Sequence, residues 1–214
     1  IVNFPALMEA GDVGEVAGLL RETVYYPIID KVDLYEKAGN ILVLEACLDD
    51  IYFGRLWELV DKQPDGKVVK HIIGTEMDLR NLLTMISLKA RGLGKDILEA
   101  SYITNQYNFP EEVIREIIDA SMEDIPRILA YTPYRTIAEK AHELYVRGEL
   151  PRIERIIMKK FYEETLAASK NPFSTGYVLA YLISCEVEAK NLISLIAAKQ
   201  LGMESEEIKE YILI

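Results

Sequence analysis

Apolar residues recur every three or four positions along most of the chain, the spacing that places them on one face of an α-helix. Between residues 44 and 59 the apolar positions follow this rule at Leu44, Leu48, Ile51, Tyr52, Leu56 and Leu59. The alternation typical of strands is almost absent. The one candidate, residues 68–73, can equally lead into a helix capped by Thr75. The pattern therefore predicts an all-α protein.

Capping and stop residues divide this pattern into separate helices. Asp12 and Glu15 form a capping-box pattern, and Gly39, Gly92 and Gly202 are typical C-terminal stops. From the N-terminus, the predicted helices begin near Asp12, Pro27, Asn40 and Thr75, and then near Pro110, Thr132, Leu150, Ser174 and Ser205. The helix from Ser174 extends to Leu201 and is the longest of them.

The chain also contains an internal repeat. When its two halves are aligned without a gap, Glu76–Leu82 lies over Glu186–Leu192 and Gly92 lies over Gly202. We call this the repeat alignment and take it as a duplication, with helical-bundle repeats at residues 1–105 and 106–214. The second repeat begins with a helix at Pro110, whereas the first has only Ile1 to Ala10 for the same helix. The N-terminal helix therefore looks truncated, and we expect the parent protein to extend upstream, with a further repeat.

The most specific feature of the repeat is a polar motif, Glu-x-acid-x-base-Asn, on its long helix. The motif comprises Glu76, Asp78, Arg80 and Asn81, and again Glu186, Glu188, Lys190 and Asn191. One interpretation is a surface ion pair between the Glu and the base four residues on, which contributes about 0.2–0.5 kcal/mol. The other is a structural polar layer that fixes the register of packed helices. Repetition among apolar neighbours favours the layer, and the lack of a nucleophile or histidine disfavours catalysis.

Composition narrows the remaining function classes. The net charge is −11, from 24 Lys and Arg against 35 Asp and Glu. This balance disfavours binding to nucleic acid or directly to an anionic membrane surface. Two cysteines and two histidines suit neither a disulfide framework nor most metal sites. The longest uncharged stretch, Asn171–Cys185, has 15 residues, fewer than the ~20 that a membrane-spanning helix needs. We therefore expect no metal, no cofactor and no membrane-spanning segment.

One pair of residues matches a metal-ligand spacing. Glu139 and His142 form a Glu-x-x-His on a helix, as in di-iron carboxylate bundles. Such sites need a second motif of this kind, and His71 is preceded at that spacing by Val68. A solvent-exposed helix face is the better interpretation, and a carboxylate enzyme built on this pair is the least favoured hypothesis.

The chain resembles a known family over essentially its whole length. The segment Ala180–Leu192, followed by Ile196, Lys199, Gly202 and a short acidic helix to Ile214, resembles the C-terminus of the C subunit of archaeal and bacterial A/V-type ATP synthases. This family also includes the d subunit of eukaryotic vacuolar ATPases. The helix from Glu76 to Gly92 resembles the preceding repeat of the family, and Tyr131–Tyr134 resembles its connecting segment.

The resemblance implies three similar helical bundles around a pseudo-symmetry axis, which form a funnel, and it implies no catalysis. It implies a cytoplasmic, peripheral membrane subunit whose partners are the central-stalk subunits and the proteolipid rotor ring of a proton- or sodium-translocating ATP synthase. Torque would pass through this subunit between the stalk and the ring. The alternative is a helical-repeat scaffold that binds a partner unrelated to rotary ATPases.

Overall fold

The computed structural model describes residues 2–60, 62–63, 66–209 and 211–213. Ile1 and Ile214, the ends of the two predicted repeats, lie outside the described residues. The described residues contain α-helices, three short 3₁₀ helices and no strand, so the prediction of an all-α protein is confirmed. The α-helices are α1 (Phe4–Met8), α2 (Val13–Leu19), α3 (Val32–Ala38), α4 (Leu42–Val60), α5 (Gly66–Ala90), α6 (Lys95–Glu99), α7 (Glu111–Asp119), α8 (Ile125–Ile128), α9 (Arg135–Val146), α10 (Leu150–Ala168), α11 (Thr175–Gln200) and α12 (Ser205–Lys209). The 3₁₀ helices are Tyr26–Lys31, Met122–Asp124 and Leu129–Tyr131.

The predicted helix start at Thr75 is wrong. Helix α5 begins at Gly66, and Thr75 lies buried in its middle. The β-branched residues before it are weak helix formers. However, Val69, Ile72 and Ile73 are all buried at helical spacing, so packing overrides their local preference. The helix start predicted near Asp12 agrees with α2, which begins at Val13 with Asp12 as its N-cap.

The helix order repeats along the chain. In the repeat alignment, α5 and α6 coincide at their C-terminal ends with α11 and α12. Both long helices end in the same way. Gly92 and Gly202 adopt left-handed conformations, with φ of 69° and 73°. The next residue donates its N–H back across the turn, from Leu93 to the Leu88 carbonyl and from Met203 to the Ala198 carbonyl. This is a Schellman C-cap, which favours glycine because it has no Cβ.

The main core joins the two halves of the chain. Helix α10 packs along α5 and also contacts α9 and α11. The largest cluster of buried side chains combines residues of α5, such as Leu79 and Leu82, with Ile114 of α7 and with Ile157 and Phe161 of α10. A smaller cluster lies under α2 and α4, and a third lies between α4 and α5. Helix α5 is therefore the central element on which the C-terminal half is assembled.

Candidate functional site

The Glu76–Arg80 pair lies at the edge of the core, on α5. Arg80 donates to Glu76 Oε1 from Nε and Nη2 at 3.0 and 2.9 Å, and its Nη1 lies 3.5 Å from Asp49 Oδ2. The guanidinium also lies over the Phe53 ring, 5.4 Å from its centroid. Burial raises the pKa of Glu76, and the Arg80 charge opposes this effect. The pair thus ties α5 to α4 through a partly buried ionic contact.

Asp78 points into the core, where it is 1% exposed. Its Oδ2 accepts hydrogen bonds from the Asn108 backbone N–H at 2.9 Å and from the Tyr134 hydroxyl at 2.8 Å. Burial raises the pKa of Asp78, and the hydrogen bonds from Asn108 and Tyr134 oppose this rise. Burial, followed by the nearby Asp78 charge, raises the pKa of Tyr134 strongly. One carboxylate therefore holds α5, the segment before α7 and the start of α9 together.

Asn81 completes the first motif by binding the backbone of the segment that follows α6. Its Oδ1 accepts from the Ile103 N–H at 2.8 Å, and its Nδ2 donates to the Ile103 carbonyl at 3.0 Å. Asn191 makes the same two bonds, at 2.8 and 3.0 Å, to the backbone of Leu213. Both pairs are 22 residues apart in sequence. Asn81 on α5 and Asn191 on α11 thus supply the hydrogen bonds that a neighbouring backbone would otherwise make. They supply them to the segments that follow α6 and α12.

The rest of the second motif lies in a different environment. Lys190 Nζ lies 2.7 Å from Glu186 Oε1, with side chains 50% and 63% exposed. Glu188, the counterpart of the buried Asp78, is also exposed. The structure thus places Asp78 and Asn81 inside the bundle, Glu76 and Arg80 at its edge, and Glu186, Glu188 and Lys190 on a largely open surface. The role of all eight residues as a register-fixing layer stays a prediction.

The two motifs meet at one groove between α5, α10 and α11. Its volume is about 700 Å³, and Glu76, Arg80 and Lys190 line it together with apolar side chains such as Met158 and Ile193. The Glu186 charge is close enough to raise the pKa of Glu76 further. Among the described residues that line the groove there are ion pairs and aliphatic side chains but no cysteine or histidine.

Glu139 and His142 lie in different surroundings, since Glu139 is exposed on α9 whereas His142 is half-buried, with its Nδ1 atom buried. Glu139 Oε1 accepts from Arg135 Nε at 2.9 Å on the exposed side of α9. Within the described ranges, no three side chains of His, Cys, Asp or Glu lie close enough to hold a metal ion. Across the same part of the chain, no helix has the length and apolar character needed to span a bilayer.

Sequence reasoning missed the partners of the polar motif. Asn108 and Tyr134 complete the Asp78 cluster, and the Phe109 ring packs edge-on against Tyr134 with centroids 4.9 Å apart. Tyr134 lies 56 residues from Asp78. A buried acid on a helix needs donors, but the spacing within one helix does not reveal which distant residue supplies them.

Comparison with known proteins identifies relatives along nearly the whole chain. A profile of the family described as ATP synthase (C/AC39) subunit matches residues 2–211. The C subunit of the A-type ATP synthase of Methanocaldococcus jannaschii is 26% identical over 214 residues, which cover 97% of this chain and 53% of that protein. The protein of the same name from Methanothermobacter thermautotrophicus is 28% identical over 194 residues, which cover 87% of this chain and 50% of that protein. The chain thus spans about half the length of these curated relatives. No solved structure matches.

Proposed function

Because the chain belongs to the family of ATP synthase (C/AC39) subunits, we propose that it is a non-catalytic coupling subunit of an A/V-type, proton- or sodium-translocating ATP synthase. In this role it links the central stalk to the membrane proteolipid ring and transmits torque between them. It acts in the cytoplasm as a peripheral part of the complex. The observation that carries the proposal is the family match over residues 2–211.

The packing of α5 supports a role in transmitting force. A part that carries torque needs helices that do not slide past one another. Helix α5 is held to its surroundings by polar contacts from Arg80 to Asp49, from Asp78 to Tyr134 and from Asn81 to Ile103, in addition to its apolar core. Sliding of α5 by one turn would break all three and leave the buried Asp78 and Asn81 side chains without partners, at a cost of about 1–3 kcal/mol each.

The proposed arrangement of the chain follows from the same repeat. The halves 1–105 and 106–214 would be two of three bundle domains around a pseudo-symmetry axis, which form a funnel between stalk and ring. The recurrence of the Asn81–Ile103 contact as Asn191–Leu213 supports this, because one packing solution is used in both halves.

An affinity experiment tests the coupling role. The tagged chain is immobilised and mixed with a detergent extract of the source membranes, and bound subunits are identified by mass spectrometry. We expect recovery of central-stalk subunits, of the proteolipid, or of both. The matched control is an Asn81→Leu, Asp78→Leu double variant, which should lose the fixed packing of α5 and with it the recovery. Recovery of neither partner by the unaltered chain would favour a helical scaffold without a coupling role.

A further inference from the structure

A pocket lined by basic side chains lies between α10, α11 and α12. Its volume is about 440 Å³, within the ~300–1,000 Å³ typical of small-molecule sites. We call it the basic pocket. Its described lining residues are Arg155, Lys159, Leu195, Lys199, Ser205, Ile208, Lys209 and Ile212. Four of these eight side chains are positively charged and none of them is negatively charged, so the pocket should attract an anion.

The cations of the basic pocket are positioned by packed helices. Arg155 lies half-buried on α10, and its Nη2 donates to the carbonyl of Lys209, at the end of α12, at 3.2 Å. On α11, Lys199 Nζ lies 3.5 Å from the Ser205 hydroxyl of α12. Ile208 of α12 is 4% exposed, so this short helix is packed in place. The shape of the basic pocket is therefore set by the fold.

The packing of the repeat does not require these charges. Three of the four cations occupy positions that are acidic in the N-terminal half. In the repeat alignment, Arg155, Lys159 and Lys209 correspond to Glu45, Asp49 and Glu99. Helix α4 packs on α5 with the acids, as α10 packs on α11 with the bases. Because either sign is compatible with this packing, the fold does not explain a cluster of cations in a chain whose net charge is −11.

The lining indicates the class of anion. Arg155 presents a planar fork of N–H donors, which suits the oxygens of a phosphoryl group, and the lysines add charged donors that adapt to its position. Leu195, Ile208 and Ile212 form an apolar side of the pocket. A bare inorganic anion would leave this side in contact with water, whereas the organic body of an ester would cover it.

We propose that the basic pocket binds a phosphate ester with an apolar body. Arg155, Lys159 and Lys199 hold the phosphoryl group, and the three aliphatic side chains contact the body. Lys209 Nζ lies 2.6 Å from Glu206 Oε1, but the two side chains are 71% and 83% exposed. Their ion pair is therefore weak, and Lys209 can turn to the phosphoryl group. The proposal uses contacts within α10, α11 and α12 and does not rest on the coupling role proposed above.

Hexyl phosphate is the probe, and isothermal titration calorimetry in a phosphate-free buffer measures its binding. We expect one saturable site on the unaltered chain. Lys199→Gln removes a cation at an exposed position, so the fold should be kept, and we expect it to weaken binding about tenfold or more. Lys190→Gln, on the same helix and outside the basic pocket, is the matched control. It removes the same charge and should change the affinity about twofold or less.

Leu195→Ser tests the apolar side of the pocket. It should weaken the binding of hexyl phosphate about threefold to tenfold, because less apolar area is then removed from water. The binding of inorganic phosphate should stay unchanged. Far-UV circular dichroism and the thermal midpoint check that each variant keeps its fold. A hexyl phosphate affinity that Leu195→Ser leaves unchanged would overturn the proposed ester.

Vesicles distinguish two sources of such an ester. Co-sedimentation with phosphatidylcholine vesicles, with and without phosphatidic acid, tests a lipid headgroup. Binding that needs phosphatidic acid and is lost in Lys199→Gln would identify the ester as a lipid. Binding of hexyl phosphate without binding to either kind of vesicle would identify a soluble ester. Both results support the proposal.

Three further results would overturn the proposal. The first is no saturable binding of hexyl phosphate at millimolar concentrations. The second is an equal loss of affinity in Lys199→Gln and Lys190→Gln, which would indicate attraction by overall charge. The third is a glutamate-rich peptide that binds more tightly than hexyl phosphate and is lost in Lys199→Gln, which would make the pocket a docking site for an acidic protein segment. No other ATP synthase subunit takes part in these measurements, so their outcome is separate from that of the affinity experiment.

Discussion

Helices α5 and α11 carry the same motif at corresponding positions, yet one is an interior helix and the other a surface helix. Thirteen of the 25 residues of α5 are buried, against four of the 26 residues of α11. The difference arises from what packs over each helix within the described residues. Helix α10 and other parts of the C-terminal half pack over α5, whereas α11 contacts α5 and α10.

A spacing pattern that recurs within one chain therefore does not fix the environment of a residue. Leu82 and Leu192 occupy the same place in the motif, but their exposed fractions are 0% and 53%. The free energy that each contributes to folding should differ accordingly, because it depends on the apolar area removed from water. Matched substitutions on α5 and α11 therefore measure how much burial by the C-terminal half adds to the free energy of unfolding.

The largest difference is expected for Leu82→Ala against Leu192→Ala. The first leaves a cavity in the main core and should lower the free energy of unfolding by about 2–5 kcal/mol. The second trims an exposed side chain and should change it by about 0.5 kcal/mol or less. Urea unfolding of both variants measures the two losses. Equal losses would mean that α11 is covered in the isolated chain.

The asparagine clamps should differ less, because they are alike in geometry. Asn81→Leu leaves the buried Ile103 N–H and carbonyl without partners, and we expect a loss of about 1–3 kcal/mol. Asn191→Leu removes the same bonds to Leu213 at a half-buried position, where water can replace them, and should cost less. Amide hydrogen exchange gives a local check, since the Ile103 amide should lose more protection than the Leu213 amide. A greater loss at Leu213 would contradict the comparison.

The fold could be predicted from the sequence in part. Helical spacing and capping residues identify the all-α fold, and the repeat alignment matches the long helices to each other. The start of α5 could not be placed from local signals, because Val69, Ile72 and Ile73 favour strands until they are buried. The helix start predicted at Thr75 is wrong for this reason.

The polar motif was predictable as a set of positions but not as a set of contacts. Helical spacing places Glu76 opposite Arg80, and the structure has that ion pair. It does not indicate that Asp78 accepts a hydrogen bond from Tyr134, because Tyr134 lies at the start of another helix, α9. Nor does it indicate that Glu188 is exposed, because burial depends on a neighbouring half and not on the helix itself.

The pH dependence of folding should distinguish Asp78 from ordinary surface acids. The pKa of Asp78 is raised in the folded protein from its ordinary value of 3.8 because the side chain is buried. The folded state therefore binds more protons than the unfolded state in the pH range above 3.8. Its stabilising contribution is complete below that value and is lost as the pH rises through the raised pKa, by at most about 1.4 kcal/mol per pH unit.

The Asp78→Asn variant isolates this contribution. The free energy of unfolding of the unaltered chain, minus that of the variant, should fall as the pH rises from about 4 towards neutrality. Urea unfolding at a series of pH values measures it. A difference that grows with pH would instead identify a carboxylate stabilised in its charged form. Glu188→Gln, at the corresponding exposed position on α11, is the matched control.

The smallest effects concern the two ion pairs. Lys190→Met removes a contact between side chains that are 50% and 63% exposed, so we expect a change of about 0.5 kcal/mol or less. Arg80→Met removes a cation that contacts both Glu76 and Asp49. We expect it to lower the free energy of unfolding by about 1 kcal/mol. A carboxyl titration by NMR separates the two variants directly. Because the Arg80 charge holds down a pKa that burial raises, the pKa of Glu76 should rise in Arg80→Met and shift less in Lys190→Met. Shifts of equal size would place both bases at the same distance from Glu76 and would remove the distinction between an inner and an outer ion pair.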